Sequence, residues 1–278
     1  MAAPCALPLG MRPASLKIAL FAFVCLTACH LLAQDTTATA RLTTAHAQYY
    51  TPTARGLSSF RCDASVDWKG TFARITGKEV APDSPELKYL QNVRLSVSDE
   101  LQGTGSLDWT TDAAPPADSD AAIKQIRGGF QQMISGFFQT WNPYVNGSMV
   151  PLPDSTVTVT NAGDGVHLSG KAGSMTLDED FDRNMVLKQT VVVQPEIKVV
   201  ATPTYDSTPE GLLVSRIDTV LNQPPTAPPV EAVMSVTYAK VDTYQLPSVV
   251  NVDIKNVSSF EIHFNNCKAV LTDSAKKP

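Results

Sequence analysis

The groups of this chain that could support chemistry are a cysteine near the N-terminus, two cysteines in the body, and a few histidines and acids. Cys29 ends the stretch Leu26-Thr27-Ala28-Cys29, which matches a lipobox, the motif in which cleavage before a cysteine leaves its thiol to be lipidated. Leu31-Leu32-Ala33 followed by Gln34 matches an ordinary signal-peptidase site. The first site predicts a lipid-anchored protein and the second a free one. We favour cleavage after Ala33, because the residues after Cys29 stay apolar whereas a lipoprotein usually turns polar there.

Residues 1–33 have the features of a secretory signal. They contain Arg12 and Lys17 but no acid, and Ile18 to Ala28 is apolar throughout. The apolar segment from Ile18 to Ala33 is too short for a membrane anchor, which needs about 20 apolar residues. Removal of the segment lowers the basic count from 22 to 20 against 27 acidic residues. Such an acidic chain without a basic cluster is not expected to bind nucleic acid, or anionic membrane by charge alone.

Cys62 and Cys267 are the two cysteines that remain after cleavage at Gln34. Each lies in a strand-like run, one near the start of the body and one near its end. An exported protein with two cysteines favours a disulfide, which here would join the first strand to the last. Two buried free thiols are the alternative.

Motifs for catalysis and metal binding are missing from the sequence. It has no HExxH, no G-x-S-x-G, no Walker A and no G-x-G-x-x-G. His46, His167 and His263 are not spaced as zinc ligands. The acidic run 178–182 lacks the ligand order of a calcium loop, so we interpret it as a solvated hairpin turn. We therefore predict no enzyme activity, no metal and no cofactor.

Hydrophobic periodicity predicts an α+β fold. Residues 35–50 favour a helix, and 57–68 alternate as a half-buried strand that carries Trp68 on its buried face. Residues 81–86 are expected to form a loop, and 93–98 and 106–110 an antiparallel pair. A long amphipathic helix spans 119–141, capped by Asp118 or Ser119 and ended by Asn142-Pro143. Roughly eight strands follow, with 223–229 as a hairpin loop.

Without βαβ alternation, the strands favour one large curved antiparallel sheet, an open half-barrel with both helices packed on it and the long one on its concave face. Residues 34–271 would form this single domain and 272–278 a disordered tail.

Bulky apolar side chains are the remaining candidates for a site. Several of them should face the space between the long helix and the sheet, where they form either a plain core or a cavity for an acyl chain. The candidates are Trp68, Trp109, Phe130, Met133, Phe137, Phe138 and Trp141.

Short motifs along residues 35–270 are similar to those of the LolA/LolB-like envelope lipoprotein carriers. Leu57-Ser58-Ser59-Phe60 resembles the entry to that family's first strand, and Pro203-Thr204-Tyr205 to Gly211-Leu212-Leu213 resembles its late strands. Tyr244-Gln245-Leu246-Pro247 followed by Val249 to Val252 continues this likeness. The resemblance implies an unclosed half-barrel whose hollow is plugged by helices. The insertion around the 119–141 helix is long for a minimal carrier. No lipid-facing arginine can be assigned among Arg61, Arg74, Arg94 and Arg216.

The combined expectation is an exported envelope protein of a Gram-negative-type bacterium, in the periplasm or at the outer-membrane periphery. It would bind a lipid acyl chain or a lipidated protein in an apolar hollow, in a carrier or lipoprotein-sorting role, with association to a membrane as a further expectation. The alternative is a structural or interaction module of the envelope with a filled core and no small ligand.

Overall fold

The structure is a computed structural model that describes residues 40–76, 79, 81–101, 104–146, 150, 157–223 and 228–272. The predicted signal segment, Cys29, the cleavage sites and the tail from residue 273 lie outside these ranges. Within them, four helices and twelve strands form an α+β fold. The helices are α1 (40–48), α2 (Trp68–Thr76), α3 (Pro85–Gln91) and α4 (Asp120–Val145). None of the helices in the described ranges is both long and apolar enough to cross a membrane.

The strands fall into an N-terminal group of three and a C-terminal group of nine. The first group is β1 (Leu57–Val66), β2 (Arg94–Asp99) and β3 (Ser106–Thr110). The second group begins with β4 (Val157–Ala162), β5 (Gly165–Ala172), β6 (Met175–Phe181), β7 (Leu187–Gln194) and β8 (Ile197–Thr208). It ends with β9 (Gly211–Asn222), β10 (Val230–Val241), β11 (Tyr244–Ile254) and β12 (Ser258–Leu271).

All twelve strands join in one open antiparallel sheet. Its order is β3-β2-β1-β12-β11-β10-β9-β8-β7-β6-β5-β4, so β3 and β4 are the two edges. Every neighbouring pair except β1 and β12 is also consecutive in sequence. Pairs such as Arg61 with Lys268 and Asp63 with Asn265 set the register where the first strand meets the last. The sequence-based prediction of one large antiparallel sheet is confirmed.

The predicted disulfide is also confirmed. Cys62 of β1 is bonded to Cys267 of β12, and their Cα atoms are 4.0 Å apart. The bond lies at a bulge, since Asn266 and Cys267 together oppose Cys62, and Asn266 has a positive φ of 50°. The Asn266 amide donates to the Asp63 carboxylate at 2.9 Å, which holds the bulge on its outer side.

Helix α4 packs on one face of the sheet through aromatic side chains. Phe137 and Phe138 each have a ring centroid 6.3 Å from that of Phe264 on β12. Phe138 also meets Phe60 of β1 at 5.9 Å. The Trp141 indole N–H donates to the hydroxyl of Tyr238 on β10 at 2.8 Å. These contacts place the C-terminal half of α4 over the centre of the sheet, in the main hydrophobic core.

The end of β1 differs from the predicted strand. It stops at Val66, and Trp68 begins helix α2 instead of continuing the alternation. Asp67 causes the change: its carboxylate accepts the backbone N–H of Gly70 at 3.0 Å, and its carbonyl accepts that of Thr71 at 2.8 Å. This is the hydrogen bonding of a helix N-cap, for which aspartate is well suited.

Helix α3 begins within the segment that we expected to be a loop. Ser84 caps it by accepting the N–H of Leu87 at 3.2 Å, and Pro85 occupies the first turn. Both are recognisable start signals of a helix.

The two ends of α4 also differ from the prediction. The Ser119 side chain makes no cap hydrogen bond; its hydroxyl donates to Glu86 instead. The helix continues past Pro143 to Val145. Tyr144 and Val145 are buried, so packing of the last turn offsets the hydrogen bond that the proline lacks.

The acidic run 178–182 is not a solvated turn, contrary to our interpretation. Most of it belongs to β6, and Glu179 faces the core with only 1% of its surface exposed. Strand pairing explains this, because Glu179 lies between Leu168 of β5 and Thr190 of β7, which are both buried. The turn itself follows at Asp182, whose carboxylate accepts backbone N–H groups of Asn184 and Val186.

Candidate functional site

An apolar groove of about 870 Å³ lies between helices α2 and α4 and the sheet. One wall is formed by helices and the other by strands β9 to β12. The helical lining residues are Trp68, Thr71 and Phe72 of α2 with Ala122, Gln125, Ile126, Gly129, Phe130, Gln132, Met133, Gly136, Phe137 and Thr140 of α4. The sheet side consists of Thr219, Ala232, Val233, Met234, Val252, Ile254, Val257 and Phe260. The volume of the groove is within the range of small-molecule sites, roughly 300–1,000 Å³.

The α4 side of the groove is formed by residues that recur at a spacing of seven. Residues seven apart lie two turns apart on nearly the same face of a helix. Ile126 and Met133 form one such pair and Gly129 and Gly136 another, so that the wall alternates between half-buried apolar side chains and bare backbone. A Cβ added at Gly129 or Gly136 would meet no atom within 4 Å, so the groove is open at both positions.

Aromatic rings close the inner end of the groove. The rings of Trp68 and Phe130 lie with centroids 4.8 Å apart, and Phe130 is 6.3 Å from Phe260 on β12. Because α2 starts at Trp68, the Asp67 cap determines where this indole enters the site.

The structure divides the seven predicted site residues into two groups. Trp68, Phe130, Met133 and Phe137 line the groove.

The other three are buried in the core and are absent from the lining. Trp109 packs against Trp68 at 5.7 Å, and Phe138 and Trp141 are fully buried against the centre of the sheet. Cys29 lies outside the described residues.

Much of the sheet side of the groove was missed by the sequence reasoning. Ala232 and Met234 on β10 and Val252 and Ile254 on β11 are alternate residues of two paired strands. Alternation in these strands is visible in the sequence, and it identifies residues that share a face. Which face lies under α4 depends on the strand order, and that order was not available from the sequence.

The groove is uncharged. None of its described lining residues is acidic, basic or a histidine. The polar members are Thr71, Gln125, Gln132, Thr140 and Thr219. Three of them are on α4, where Gln125, Gln132 and Thr140 are exposed. An occupant of this groove would therefore be apolar along its length and meet neutral hydrogen-bonding groups where α4 faces solvent.

The arginines considered for a lipid-facing role lie elsewhere. Arg61 binds Asp108 at 2.9 Å, Arg94 binds Asp112 at 3.0 Å, and Arg216 binds Asp218 at 2.6 Å, all with exposed side chains. Arg74 donates to the carbonyl of Ser259 at 3.3 Å. None of the four lines the groove.

The histidines make pairwise contacts with acids or the backbone. His167 Nδ1 is 2.7 Å from Asp180, and His263 Nε2 is 2.7 Å from Glu261. His46 Nδ1 lies 3.0 Å from the carbonyl of Val150. In the part of the chain that the structure describes, no three metal-ligating side chains converge on one point.

A buried polar cluster lies away from the groove, where Tyr49, and Tyr144 of α4, meet strands β6 to β8. Both carboxylate oxygens of Glu179 lack a hydrogen-bond partner among the described residues, and so does the hydroxyl of Tyr205. Burial raises the pKa of Glu179 to about 8 and that of Tyr144 to about 12. Tyr49 borders the same region: its hydroxyl donates to the carbonyl of Met185 and accepts the N–H of Leu187 at 2.8 Å. With a pKa of about 8, Glu179 is mostly protonated at pH 7.

Comparison of the chain with protein-family models, curated proteins and solved structures found no match.

Proposed function

We propose that this chain is an exported envelope protein that holds a lipid acyl chain, or the acyl chains of a lipidated protein, in the groove between α4 and the sheet. The observation that carries the proposal is a groove of about 870 Å³ whose described lining is uncharged and largely apolar. A lipid chain needs such a lining and no catalytic group. Each CH₂ moved from water into the groove contributes about 0.8 kcal/mol, so a long chain would partition strongly.

The finer architecture belongs to the same proposal. The open sheet would curve as a half-barrel, with α4 across its concave face and the groove in the hollow. Contacts of α4 with Phe60 on β1, Phe264 on β12 and Tyr238 on β10 support this, because they involve strands on both sides of β11. The likeness of short motifs within residues 35–270 to those of LolA/LolB-like carriers also favours a carrier or sorting role.

Compartment and partners follow from the N-terminal segment and the disulfide. A secretory segment and a Cys62–Cys267 bond both suit an oxidising compartment such as the periplasm. The acyl chain would come from a lipid or lipidated protein of the envelope, and the chain would act as a binding protein and not as an enzyme. Whether it is free or anchored depends on Gln34 or Cys29 being its first residue.

A filled structural module is the second candidate, and one observation favours it. Phe138 and Trp141 were predicted to face a hollow, yet both are fully buried in the core. If the groove were only a shallow surface depression beside such a core, the chain would act as an interaction module of the envelope.

Gly129→Leu is the variant that tests the groove, with Gly128→Leu as its matched control. Both positions are exposed in the middle of α4, and an added Cβ meets nothing within 4 Å at either one. Only Gly129 lines the groove. Both changes raise helix propensity by up to about 1 kcal/mol, so neither variant should unfold.

The measurement is the affinity for a fluorescent fatty-acid analogue in vesicle-free solution. We expect Gly129→Leu to weaken binding of the analogue about tenfold or more, because the leucine side chain fills part of the groove and leaves that much of the acyl chain in water. Gly128→Leu should bind the analogue like the parent. Native mass spectrometry of protein recovered from its producing cell gives the bound lipid and the first residue. A parent protein that neither binds the analogue nor carries lipid would reject the carrier in favour of the interaction module.

A further inference from the structure

The exposed large aliphatic side chains of the described residues are concentrated at one end of the sheet. Val193 and Ile197, 36% and 38% exposed, flank the turn between β7 and β8. Val257, 69% exposed, is in the turn between β11 and β12 at the same end. Val270 is the fourth, 45% exposed, and lies at the opposite end, where it pairs with Ser59. We call the residues Val193, Ile197 and Val257 with their two turns the apolar rim.

A row of half-buried aliphatic residues connects the apolar rim with the groove. Leu177, Val192, Val199, Leu221 and Val230 are paired one with the next across five strands, β6 to β10. Leu221 and Val230 are each two residues from a residue that lines the groove, Thr219 and Ala232 respectively, so the row is on the groove face. Val257 itself lines the groove. Ile197, two residues before Val199, is on this same face, whereas Val193, next to Val192, is on the other face of the sheet. Two of the three rim residues, Ile197 and Val257, are therefore on the face that carries the groove.

Charges near the apolar rim are mixed, although the whole chain has a net charge of −5. Lys171, Lys198 and Lys255 are exposed at this end, and so are the acids Glu196, Glu231 and Asp253 of the same turns and strand ends. Lys255 binds Glu231 at 2.9 Å, and neither Lys171 nor Lys198 is in an ion pair with a described carboxylate. Long lysine side chains beside exposed aliphatic groups suit an interface between hydrocarbon and anionic headgroups.

We propose that the apolar rim docks on the surface of a phospholipid bilayer, with Val193, Ile197 and Val257 inserted among the acyl chains. The lysines would then lie at the level of the headgroups. Exposed apolar residues scattered singly over a surface need no explanation, but three of the four in the described residues are at one end of the sheet, and two of these are on the face that carries the groove. Such a grouping marks a contact surface. Docking in this way would bring the mouth of the groove to the lipid. The proposal goes beyond acyl-chain binding and is tested without it.

Two tryptophan variants test where the protein meets the bilayer. Ile197→Trp places a reporter on the apolar rim, and Val270→Trp places one at the other end on a side chain of similar exposure. Both are made in the full chain with Cys29→Ser, so that no lipid is attached there. Vesicles contain zwitterionic and anionic phospholipids with brominated acyl chains, which quench nearby indoles. We expect added quenching for Ile197→Trp and none for Val270→Trp. Because both variants have the same N-terminal segment, the difference reports only on the two ends of the sheet.

Aspartate variants measure the strength of the contact. Val193→Asp combined with Ile197→Asp changes two rim residues that do not line the groove. It should weaken vesicle binding at least about tenfold, as expected for loss of a buried aliphatic side chain, and Val270→Asp should not. Equal quenching of the two tryptophan variants, or no vesicle binding by the parent, would overturn the proposal. So would a dimer in lipid-free buffer that the double aspartate variant abolishes, because the rim would then be covered by a second copy. Failure of the groove itself would appear only in the fatty-acid assay.

Discussion

At the scale of single residues, Glu179 is the most unusual group in the described structure. It is a carboxylic acid inside an apolar sheet face, bordered by the tyrosines at positions 49, 144 and 205, and its charge on ionisation would meet no cation. The nearby Lys188 binds the carboxylate of Asp182 and not that of Glu179. A neutral Glu179 is compatible with folding, whereas an ionised one is strongly disfavoured by burial.

The protonation of Glu179 predicts a loss of stability as pH rises. Its pKa is about 8 in the folded chain against 4.5 as the ordinary value, so the folded state binds more protons between these limits. The free energy of unfolding should therefore fall with pH across this window, by up to about 1.4 kcal/mol per pH unit, and level off above pH 8. Urea unfolding at intervals from pH 6.5 to pH 9 measures the slope. Glu179→Gln, which cannot ionise, should flatten it.

The range from pH 6.5 to pH 9 distinguishes the effect of Glu179 on the free energy of unfolding from that of Asp99. Burial also raises the pKa of Asp99, to about 6, against the opposing hydrogen bond from Asn142. The titration of Asp99 therefore changes the free energy of unfolding mainly below pH 6.5. It does so equally in the parent and in Glu179→Gln. Parallel slopes for the parent and Glu179→Gln would show that Glu179 is not the group responsible.

At the scale of elements, the position of α4 depends on a close approach to the segment before β3. A Cβ built on Gly105 would lie 1.8 Å from a ring carbon of Phe138, which is fully buried. The ring cannot retreat easily, since Phe60 and Phe264 pack on it from β1 and β12. Glycine at position 105 is thus required by packing, and the structure gives it no positive φ.

Gly105→Ala is expected to destabilise the protein by about 1–3 kcal/mol, the usual range for overpacking a core. Gly128→Ala is the matched control, because it adds the same methyl group where nothing lies within 4 Å and should stabilise α4 by up to about 1 kcal/mol. Thermal unfolding of the two variants beside the parent gives the comparison. Equal stability of all three would mean that Phe138 is free to move, and α4 would then be held less firmly than its contacts indicate.

Local patterns allowed the strands and the long helix to be predicted, whereas two short helices were missed. Alternation identified β1, β2 and β3, and three- and four-residue spacing identified α4. Helix α2 was missed because Trp68 fits the alternation of β1 equally well, and only the cap at Asp67 breaks it. The burial of Glu179 was not predicted, because a dense acidic run usually lies in solvent. Its burial results from pairing with both β5 and β7, which the acidic run alone does not indicate.

The groove could be predicted only in part for a similar reason. Which face of α4 is apolar follows from its own sequence, and four of the seven predicted residues line the groove. Trp109, Phe138 and Trp141 are equally apolar, and their burial depends on contacts with β1, α2 and β12 that are distant in sequence.

At the scale of the whole molecule, the Cys62–Cys267 bond joins strands that are 205 positions apart. Breaking it should reduce the free energy of unfolding by about 2–5 kcal/mol, because the unfolded chain regains the freedom that the closed loop removes. Urea titrations with and without reductant measure the change, and a Cys62→Ala, Cys267→Ala variant should match the reduced parent and not respond to reductant. No shift on reduction would show that strand pairing alone holds β1 against β12.

The strand order has a consequence for the time course of folding. From β5 to β12 every strand pairs with the one made just before it, so the part of the sheet from β4 to β12 can assemble progressively through short loops. The first three strands have no place in it until β12 has been synthesised, since their attachment is the pairing of β1 with the last strand. The backbone N–H of Thr272 also donates to the carbonyl of Gly56, which joins the start of β1 to the end of β12. Among the strands, β1 is therefore the first to be synthesised and the one that waits longest for its neighbour, β12.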